Sequence, residues 1–229
     1  MRTFVKFCGL SQPDSVAEVP AGGAAGFVVN VPASPRNLTI ERAGELVALV
    51  PSEAEAWGVV VSPTAELIRR LFDEVGVDRI QVYGEVPEGL DFLELHHLVP
   101  SVPVPPAAAG APDPAVPPAE TYPRIHMDAS GGPLPGGSGL RPDWEVCARL
   151  VDSNPGRKFI LAGGLSAENV AEALASVRPW GVDVSTGVEA SIGKKDPRKV
   201  RAFVQAARAA EPRPYDSDDE GPYDWQEED

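Results

Sequence analysis

The sequence predicts an α/β fold, a single-domain (β/α)8 TIM barrel, on three observations. Eight short apolar runs rich in Val, Ile and Phe recur along the 229 residues. Amphipathic helical patterns separate most of these runs, and strands that alternate with helices form parallel sheets. The globular part, about 210 residues, suits the small end of the size range for such a barrel. A doubly wound sheet is the alternative.

Each predicted strand is short and ends at a turn. In chain order the eight are TFVKFC, AGFVVN, WGVVV, RIQVY, FLELHHLV, RIHMD, KFILA and GVDVS. The fifth is ambiguous, because PEGLDFLELHHLV also fits a short helix, with the strand displaced into SVPVP, and periodicity does not decide between the two.

Five helical segments accompany these runs, four of them between two runs and the fifth after the last run. The segment from Thr39 to Val50 opens with an N-cap threonine, and the segment from Pro63 to Val75 opens with serine followed by proline. The same pattern recurs in RPDWEVCARLVDS, SAENVAEALASV and DPRKVRAFVQAARAA, where Ser166 and Asp196 are the predicted caps.

Residues 100–123 interrupt this regularity. Nine of the 24 residues in PSVPVPPAAAGAPDPAVPPAETYP are proline, and a proline inside a helix costs about 3 kcal/mol or more. The segment is therefore predicted as an extended loop over the surface of one domain. Helices 4 and 5 of the regular repeat are then reduced or replaced by this proline-rich loop.

Charge divides the chain near residue 210. The formal net charge is −14, and residues 211–229 carry nine acidic residues and one arginine, or −8, which leaves −6 for residues 1–210. A run this acidic and this poor in apolar residues is predicted to be disordered. We therefore expect a barrel over residues 1–210 and an acidic tail over residues 211–229. An acidic body lacks the clustered Lys and Arg that nucleic acid binding needs.

Composition also argues against several other classes. No apolar run approaches the roughly 18 residues of a membrane helix, and the N-terminus lacks a secretory signal pattern, so we expect a cytoplasmic protein with no membrane partner. Cys8 and Cys147 are the only cysteines, which provides neither a disulfide framework nor a CxxC metal motif. His96 and His97 have no second cluster with ligand spacing, so no metal is expected.

In a barrel of this kind, the chemistry collects at the C-terminal ends of the strands. Cys8 ends the first run and Asp128 ends the sixth. Glycine turns follow the seventh and eighth strands, in AGGLSAEN and VSTGVE, and free backbone N–H groups there suit a phosphate monoester. Taken alone, the glycines could merely permit tight turns, and Cys8 could be a buried core thiol, as Cys147 is expected to be.

Six blocks of sequence resemble the phosphoribosylanthranilate isomerase family, (β/α)8 enzymes of tryptophan biosynthesis. They occur in the expected order over residues 3–209 as VKFCGLSQPDSV, GFVVNVPASPRNL, QVYG, HMDASGGPLPGGSG, LAGGLSAENV and VDVSTGVEASIGKKDPRKV. The resemblance implies an isomerase that converts N-(5-phosphoribosyl)anthranilate into 1-(2-carboxyphenylamino)-1-deoxyribulose 5-phosphate by an Amadori rearrangement. It implies a small phosphosugar substrate and neither a metal nor an organic cofactor.

The same resemblance implies an acid and a base. Asp128 matches the aspartate that protonates the furanose ring oxygen, and Cys8 matches the cysteine that removes the proton from the second ribose carbon. An aspartic acid with a pKa of about 3.9 is ionised at neutral pH, so the acid needs a partly desolvated barrel mouth. A thiol must be biased toward thiolate to serve as a base. Lys6 has the same strand parity as Cys8, so we predict that it helps to hold the thiolate.

Further residues match the substrate-binding positions of the family. Arg36 matches the arginine that receives the anthranilate carboxylate, a task that suits a planar guanidinium. Asp183 matches an aspartate near the ribulose hydroxyls, and Gln81, in QVYG, is also assigned to substrate binding. The phosphate is expected to be bordered by Gly137, Ser138, Gly139, Gly163, Gly164, Ser185, Thr186 and Gly187.

The sequence departs from the family pattern at three places. Tyr83 stands where QLHG usually has its histidine, Leu140 stands where many relatives have lysine, and GGPLPGGSG is longer than usual. Two alternatives remain open, namely a related barrel isomerase or lyase for another phosphosugar and a non-catalytic binding barrel. The protein is expected to be a monomer or a homodimer.

Overall fold

Eight parallel strands close into a barrel, in the order in which they occur along the chain. The computed structural model describes residues 2–106, 112–130 and 140–211. The strands are β1 Phe4–Cys8, β2 Ala24–Val28, β3 Glu55–Val61, β4 Arg79–Tyr83, β5 Leu98–Val104, β6 Arg124–Ala129, β7 Lys158–Leu161 and β8 Gly181–Val184. β1 pairs with β8 and places Lys6 beside Asp183. The predicted (β/α)8 barrel is confirmed.

Helices cover the outside of this barrel. They are α1 Pro13–Val16, α2 Ile40–Val47, α3 Ala65–Arg70, α4 Phe92–His96, α5 Trp144–Asp152, α6 Val170–Val177 and α7 Pro197–Ala209. A π turn, Leu71–Val75, extends α3, and a 3-10 turn, Thr186–Val188, follows β8. The chain then forms a small hairpin of β9 Glu189–Ser191 and β10 Lys194–Lys195 before α7. Within the described ranges, every helix is too short or too polar to span a bilayer.

Two of the predicted helix caps are confirmed and two are wrong. The serine-proline start predicted for the second segment is wrong, because α3 begins at Ala65 with Thr64 as its cap, and the Thr64 side chain accepts from the Leu67 N–H. The side chain of Thr39 accepts from the Arg42 N–H at the start of α2, and Asp196 accepts from the Arg198 N–H at the start of α7. Ser166 does not cap α6, because α6 begins three residues later than that prediction required, with Asn169 at the cap position.

Of the two interpretations of the fifth repeat, the structure shows the short helix with the displaced strand. Residues 92–96 form the short helix α4, and the strand lies in LVPSVPV. The prediction that all of residues 100–123 form a loop is therefore wrong, because Pro100 and Pro103 lie in β5, in register with Val82 and Asp128. Each proline loses one ladder hydrogen bond but keeps the extended geometry of the strand. In the part of this connection that the structure describes, residues 105–106 and 112–123, there is no helix before β6.

Side chains of β1 alternate between the two sides of the barrel wall, as the strand period requires. Phe4 points into a small inner cluster with Trp57 and Ile160, at the N-terminal end of the barrel. Phe7 points outward and meets Phe203 of α7 edge-on, with ring centroids 6.3 Å apart. The larger hydrophobic core lies between the strands and the helices. The inner positions nearer the C-terminal end are polar, and these positions build the site.

Arg124 closes the N-terminal end of the barrel. Its guanidinium carbon lies 5.6 Å from the Phe4 ring centroid, 5.8 Å from that of Trp57 and 4.9 Å from that of Trp180. Nη1 and Nη2 donate to the two carboxylate oxygens of Glu55 at 2.7 Å and 2.9 Å. Aromatic faces and a bidentate carboxylate together satisfy this buried cation.

The predicted boundary between barrel and acidic tail lies beside a structural contact. Glu211 accepts a hydrogen bond from the Thr3 backbone N–H at 2.7 Å, so the side chain of the first predicted tail residue bonds to the start of the chain. Residues 212–229, the rest of the predicted tail, lie outside the described residues.

Candidate active site

The predicted acid and base lie in the C-terminal halves of two strands, around a common tyrosine. Asp128 is buried in β6 and Cys8 ends β1. Tyr83, the last residue of β4, donates its hydroxyl to Asp128 Oδ2 at 2.7 Å. Burial raises the pKa of Tyr83 well above its ordinary value, and the nearby Asp128, Cys8 and Asp183 raise it further. Tyr83 is therefore close enough to both Asp128 and Cys8 for their charges to raise its pKa, so the predicted acid and base belong to one cluster.

A layer of buried polar side chains lies within the same end of the barrel. Lys6 Nζ is 2.9 Å from Asp183 Oδ2, and His126 Nε2 is 3.0 Å from the same oxygen. Gln81 Nε2 lies 3.2 Å from His126 Nδ1. Among the described residues, Asp183 Oδ1 and Gln81 Oε1 are buried without a hydrogen-bond partner. Both atoms are acceptors, which suits them to hydroxyl donors.

Two opposing effects set the protonation of Cys8. Burial raises the pKa of the Cys8 thiol, the lysines Lys6 and Lys195 lower it, and Asp183 raises it; the net direction is upward. Burial raises the pKa of Asp183 as well, but Lys6 and His126 outweigh this effect and leave it lowered. Lys6 therefore acts on the thiol in the predicted direction, but burial outweighs its contribution.

Arg36 lies beside Cys8 and is held by a carboxylate of the protein itself. Its Nε and Nη2 donate to Glu189 Oε1 and Oε2 at 2.8 Å and 2.7 Å. The stem of Arg36 crosses Gly9, where an added Cβ would lie 2.3 Å from Arg36 Cδ, and φ of Gly9 is +71°. Glycine after Cys8 is thus required by the left-handed backbone and by the arginine packed on it.

Lys195 completes this cluster from the β9–β10 hairpin. Its Nζ contacts Glu189 Oε1 at 3.1 Å and the Ser185 carbonyl oxygen at 3.0 Å, and the side chain is buried. Ser185 Oγ in turn donates to the Cys8 carbonyl oxygen at 3.0 Å. Burial lowers the pKa of Lys195, although Glu189 and Cys8 act in the opposite direction.

The two glycine turns lie against each other. An added Cβ at Gly187 would lie 2.0 Å from the Leu165 carbonyl oxygen, so the turn after β8 touches the loop after β7. Gly163 and Gly164 have positive φ values, +90° and +62°, and an added Cβ at Gly163 would lie 3.0 Å from Asp128 Oδ1. The predicted phosphate loop after β7 therefore adjoins the predicted acid.

The chain matches the model of one protein family over most of its length. The model describes N-(5'-phosphoribosyl)anthranilate (PRA) isomerase and matches residues 5–206. The chain belongs to the phosphoribosylanthranilate isomerase family. This family consists of enzymes of tryptophan biosynthesis.

Individual members of the phosphoribosylanthranilate isomerase family agree with this assignment. The chain is 40% identical over 228 residues to the N-(5'-phosphoribosyl)anthranilate isomerase of Afipia carboxidovorans, covering 97% of this chain and 96% of that protein. It is 28% identical to a crystal structure of phosphoribosyl anthranilate isomerase in complex with reduced 1-(o-carboxyphenylamino)-1-deoxyribulose 5-phosphate, with a TM-score of 0.69 over 91% of this chain and all of that chain. It is also 28% identical to monomers made from the dimeric isomerase of Thermotoga maritima, with a TM-score of 0.68 over 90% of this chain and 98% of that chain.

Most of the residues assigned through the isomerase family resemblance come together. The structure brings Lys6, Cys8, Arg36, Gln81, Asp128 and Asp183 to one end of the barrel, and the turns that hold Gly163, Gly164, Ser185, Thr186 and Gly187 to the same end. The remaining predicted phosphate residues, Gly137, Ser138 and Gly139, lie outside the described residues. In the described parts of the chain, no group of three or more His, Cys, Asp or Glu side chains is arranged to hold a metal ion.

Sequence reasoning missed three members of the cluster. His126 has the same strand parity as Asp128, and that signal could have placed it inside the barrel. Glu189 and Lys195 gave no usable local signal, because the hairpin that turns them inward follows a glycine turn of unpredicted shape. Lys195 is also one of two adjacent lysines, of which only Lys195 is buried.

Proposed function

We propose that this chain catalyses the Amadori rearrangement of N-(5-phosphoribosyl)anthranilate to 1-(2-carboxyphenylamino)-1-deoxyribulose 5-phosphate. The observation that supports this most directly is the grouping of Asp128 and Cys8 around Tyr83 at the C-terminal end of the barrel. A carboxyl group and a thiol on different strands can address two atoms of one sugar. Membership of the isomerase family supplies the substrate class.

Asp128 begins the reaction as the general acid. It gives its proton to the furanose ring oxygen, the bond between that oxygen and the first ribose carbon breaks, and the anthranilate nitrogen forms a C=N bond with that carbon. The product of this step is a protonated Schiff base, and Asp128 is left as a carboxylate. Proton transfer by a positioned side chain contributes about 100- to 10,000-fold in typical enzymes.

Cys8 continues the reaction as the general base. Its thiolate takes the proton from the second ribose carbon, and the electron pair of that C–H bond forms a C=C bond with the first carbon, which neutralises the iminium nitrogen. The resulting enolamine tautomerises to the aminoketone. Lys6 and Lys195 stabilise the thiolate form. No step requires a metal or an organic cofactor.

Arg36 binds the anthranilate carboxylate in this proposal. Glu189 engages Nε and Nη2, which leaves the Nη1 side of the guanidinium for the incoming carboxylate. Asp183 and Gln81 accept from sugar hydroxyls through their buried oxygens. The phosphate lies between the two touching glycine turns, with Ser185 and Thr186 beside it, and Gly137, Ser138 and Gly139 belong to the same proposal.

The remaining proposals concern organisation and partners. Residues 1–210 form the catalytic barrel and residues 211–229 an acidic tail. The protein is cytoplasmic, binds neither nucleic acid nor membranes, and is a monomer or a homodimer. A dimeric relative of known structure and the acidic composition support these proposals.

Product fluorescence with phosphoribosylanthranilate as substrate tests the function. We expect turnover by the wild type, its loss in Cys8→Ala and Asp128→Ala, and its retention in the control Cys147→Ala, because Cys147 lies in the core under α5. Binding of phosphosugars without turnover would favour an enzyme for another phosphosugar. Neither turnover nor phosphosugar binding would favour a non-catalytic barrel.

A further inference from the structure

Tyr83 contacts the general acid but takes no part in the proton transfers of the proposed reaction. Its hydroxyl donates to Asp128 Oδ2 at 2.7 Å, while Asp128 Oδ1 accepts the backbone N–H of Ala129 at 2.8 Å. The Tyr83 ring meets the buried His126 ring edge-on, with centroids 5.9 Å apart. These contacts fix both the phenol and the carboxyl group that it touches.

The two oxygens of Asp128 have partners of different chemistry. A backbone amide can only donate, whereas a phenol hydroxyl can donate or accept by rotating its hydrogen. When Asp128 carries a proton, Oδ1 continues to accept from the Ala129 N–H. Oδ2 is the oxygen whose partner can adapt to a proton, so Oδ2 carries the proton in the acid form.

The bond from Tyr83 changes strength during the reaction. A hydrogen bond to an ionised acceptor is roughly twice as strong as one between neutral groups. Asp128 becomes ionised when its proton moves to the ring oxygen, so the Tyr83 hydroxyl stabilises the state after proton transfer more than the state before it. An interaction that strengthens toward the transition state raises kcat rather than improving KM.

We propose that Tyr83 is a positioning residue for the general acid: it orients the Asp128 carboxyl group and stabilises the carboxylate that proton transfer leaves behind. The inference rests on the proposed function, since it concerns the same proton. The high pKa of Tyr83, which burial and the charge of Asp128 cause, keeps its hydroxyl protonated in the neutral range, so that it can donate to the Asp128 carboxylate once the proton has left.

Three variants test this role. Tyr83→Phe removes only the hydroxyl, and we expect kcat to fall about 10- to 100-fold with KM changed less than about threefold. Tyr83→His restores a group that can donate and accept, and should recover part of the lost kcat. Tyr122→Phe is the matched control, because Tyr122 is a partly buried tyrosine at the end of the proline-rich segment, and it should retain wild-type kcat.

The outcomes separate this role from the proposed function. If the wild type turns over and Tyr83→Phe keeps full kcat, or if KM rises instead of kcat falling, the positioning role is wrong and the isomerase assignment stands. A fall in kcat that Tyr83→His leaves unrecovered, with a lowered melting temperature, identifies a structural role instead.

A second measurement needs no turnover. Because the charge of Asp128 contributes to the raised pKa of Tyr83, Asp128→Asn should lower that pKa. Ultraviolet titration of Asp128→Asn and of the wild type, each with Tyr83→Phe as the reference for the Tyr83 signal, measures the change. An unchanged titration would overturn the contact, and with it the inference, even in a protein that proves inactive with phosphoribosylanthranilate.

Discussion

Arg36 and Glu189 form a bidentate ion pair, with Nε and Nη2 of the arginine 2.8 Å and 2.7 Å from the two carboxylate oxygens. The pair joins the loop between β2 and α2 to the β9–β10 hairpin. Glu189 Oε1 also accepts from Lys195, so one carboxylate serves two largely buried cations. The cluster beside Cys8 therefore retains a positive charge, which suits an anionic substrate.

Replacing Glu189 should separate binding from chemistry. Glu189→Gln keeps the shape but loses the charge and one of the two acceptors, so the guanidinium of Arg36 is no longer fixed. Hydrogen bonds to charged groups contribute about 1.5–3 kcal/mol, and we expect KM for phosphoribosylanthranilate to rise about 10-fold with little change in kcat. Glu45→Gln, at the exposed partner of Arg42, is the control. A lower KM would mean that Glu189 competes with the substrate carboxylate.

Turnover should increase as the pH is raised above about 7. Burial raises the pKa of Cys8, so the thiol is protonated at neutral pH and the thiolate base appears as the pH rises toward that pKa. Removing the ammonium in Lys6→Met raises the pKa of Cys8 further and moves the ascending limb of the kcat profile to higher pH. Thiolate absorbance measured alongside kcat checks the assignment.

Lys195 provides a second test of the same effect with a matched control. Lys195→Met should move the ascending limb in the same direction as Lys6→Met, because Lys195 also lowers the pKa of Cys8. Lys194→Met changes the adjacent, exposed lysine and should leave the profile in place. Equal profiles for Lys195→Met and Lys194→Met would contradict the role of Lys195.

A methyl group at Gly187 should disturb both glycine turns. The added Cβ would lie 2.0 Å from the Leu165 carbonyl oxygen, and overpacking of this kind costs about 1–3 kcal/mol. We expect Gly187→Ala to lower the free energy of unfolding by that amount and to weaken inhibition by inorganic phosphate. Gly44→Ala, in α2, is the control, because the nearest atom to an added Cβ there is the Glu74 carbonyl oxygen at 4.0 Å. This substitution should leave the free energy of unfolding unchanged or raise it by about 0.5–1 kcal/mol.

Removing Arg124 should destabilise the barrel without touching the active site. Breaking a buried pair costs about 3–5 kcal/mol, and partial exposure of Glu55 reduces the expected loss for Arg124→Leu to about 2 kcal/mol. Urea denaturation measures the loss, and Arg198→Ala, on an exposed side chain, should lie within about 0.5 kcal/mol of the wild type. A stability equal to that of Arg198→Ala would show that the pair contributes nothing.

The Arg124–Glu55 pair makes the free energy of unfolding depend on pH. Burial acts to raise the pKa of Glu55, but hydrogen bonds from Arg124 and Trp57 outweigh it and leave the pKa lowered. A carboxyl group whose pKa is lower in the folded than in the unfolded protein stabilises the fold above its unfolded pKa and loses that contribution as the pH falls through its folded pKa. Arg124→Leu should therefore lose less stability than the wild type between neutral and acidic pH.

Local sequence pattern was enough to predict the barrel and the positions of Cys8 and Asp128 at strand ends. The alternation of Phe4, Lys6 and Cys8 with outward apolar residues is short-range information, and so is the position of Asp128 near the end of its strand. The catalytic identities came from the family resemblance, because a cysteine before a glycine does not by itself distinguish a base from a core thiol.

The fifth strand and the charged cluster around Arg36 depend on contacts between residues that are distant in the sequence. Pro100 and Pro103 lie in a strand because neighbouring strands enforce the extended backbone. The sequence left a strand in SVPVP as one of two interpretations, and only this pairing decides between them. Glu189 and Lys195 meet Arg36 only after β8 has closed on β1. Lys195 resembles its exposed neighbour Lys194 in every local respect, so the sequence alone could not tell them apart.

The aromatic rings of Phe4, Trp57 and Trp180 that surround Arg124 provide a fluorescence signal for folding. Trp180 stacks on Phe4 with ring centroids 4.4 Å apart, and Trp57 lies 5.8 Å from the same ring. Phe4 opens the first strand and Trp180 immediately precedes the last, so these rings meet only when the sheet has joined its own ends. Indole emission from Trp57 and Trp180 therefore reports the closure of the barrel during refolding.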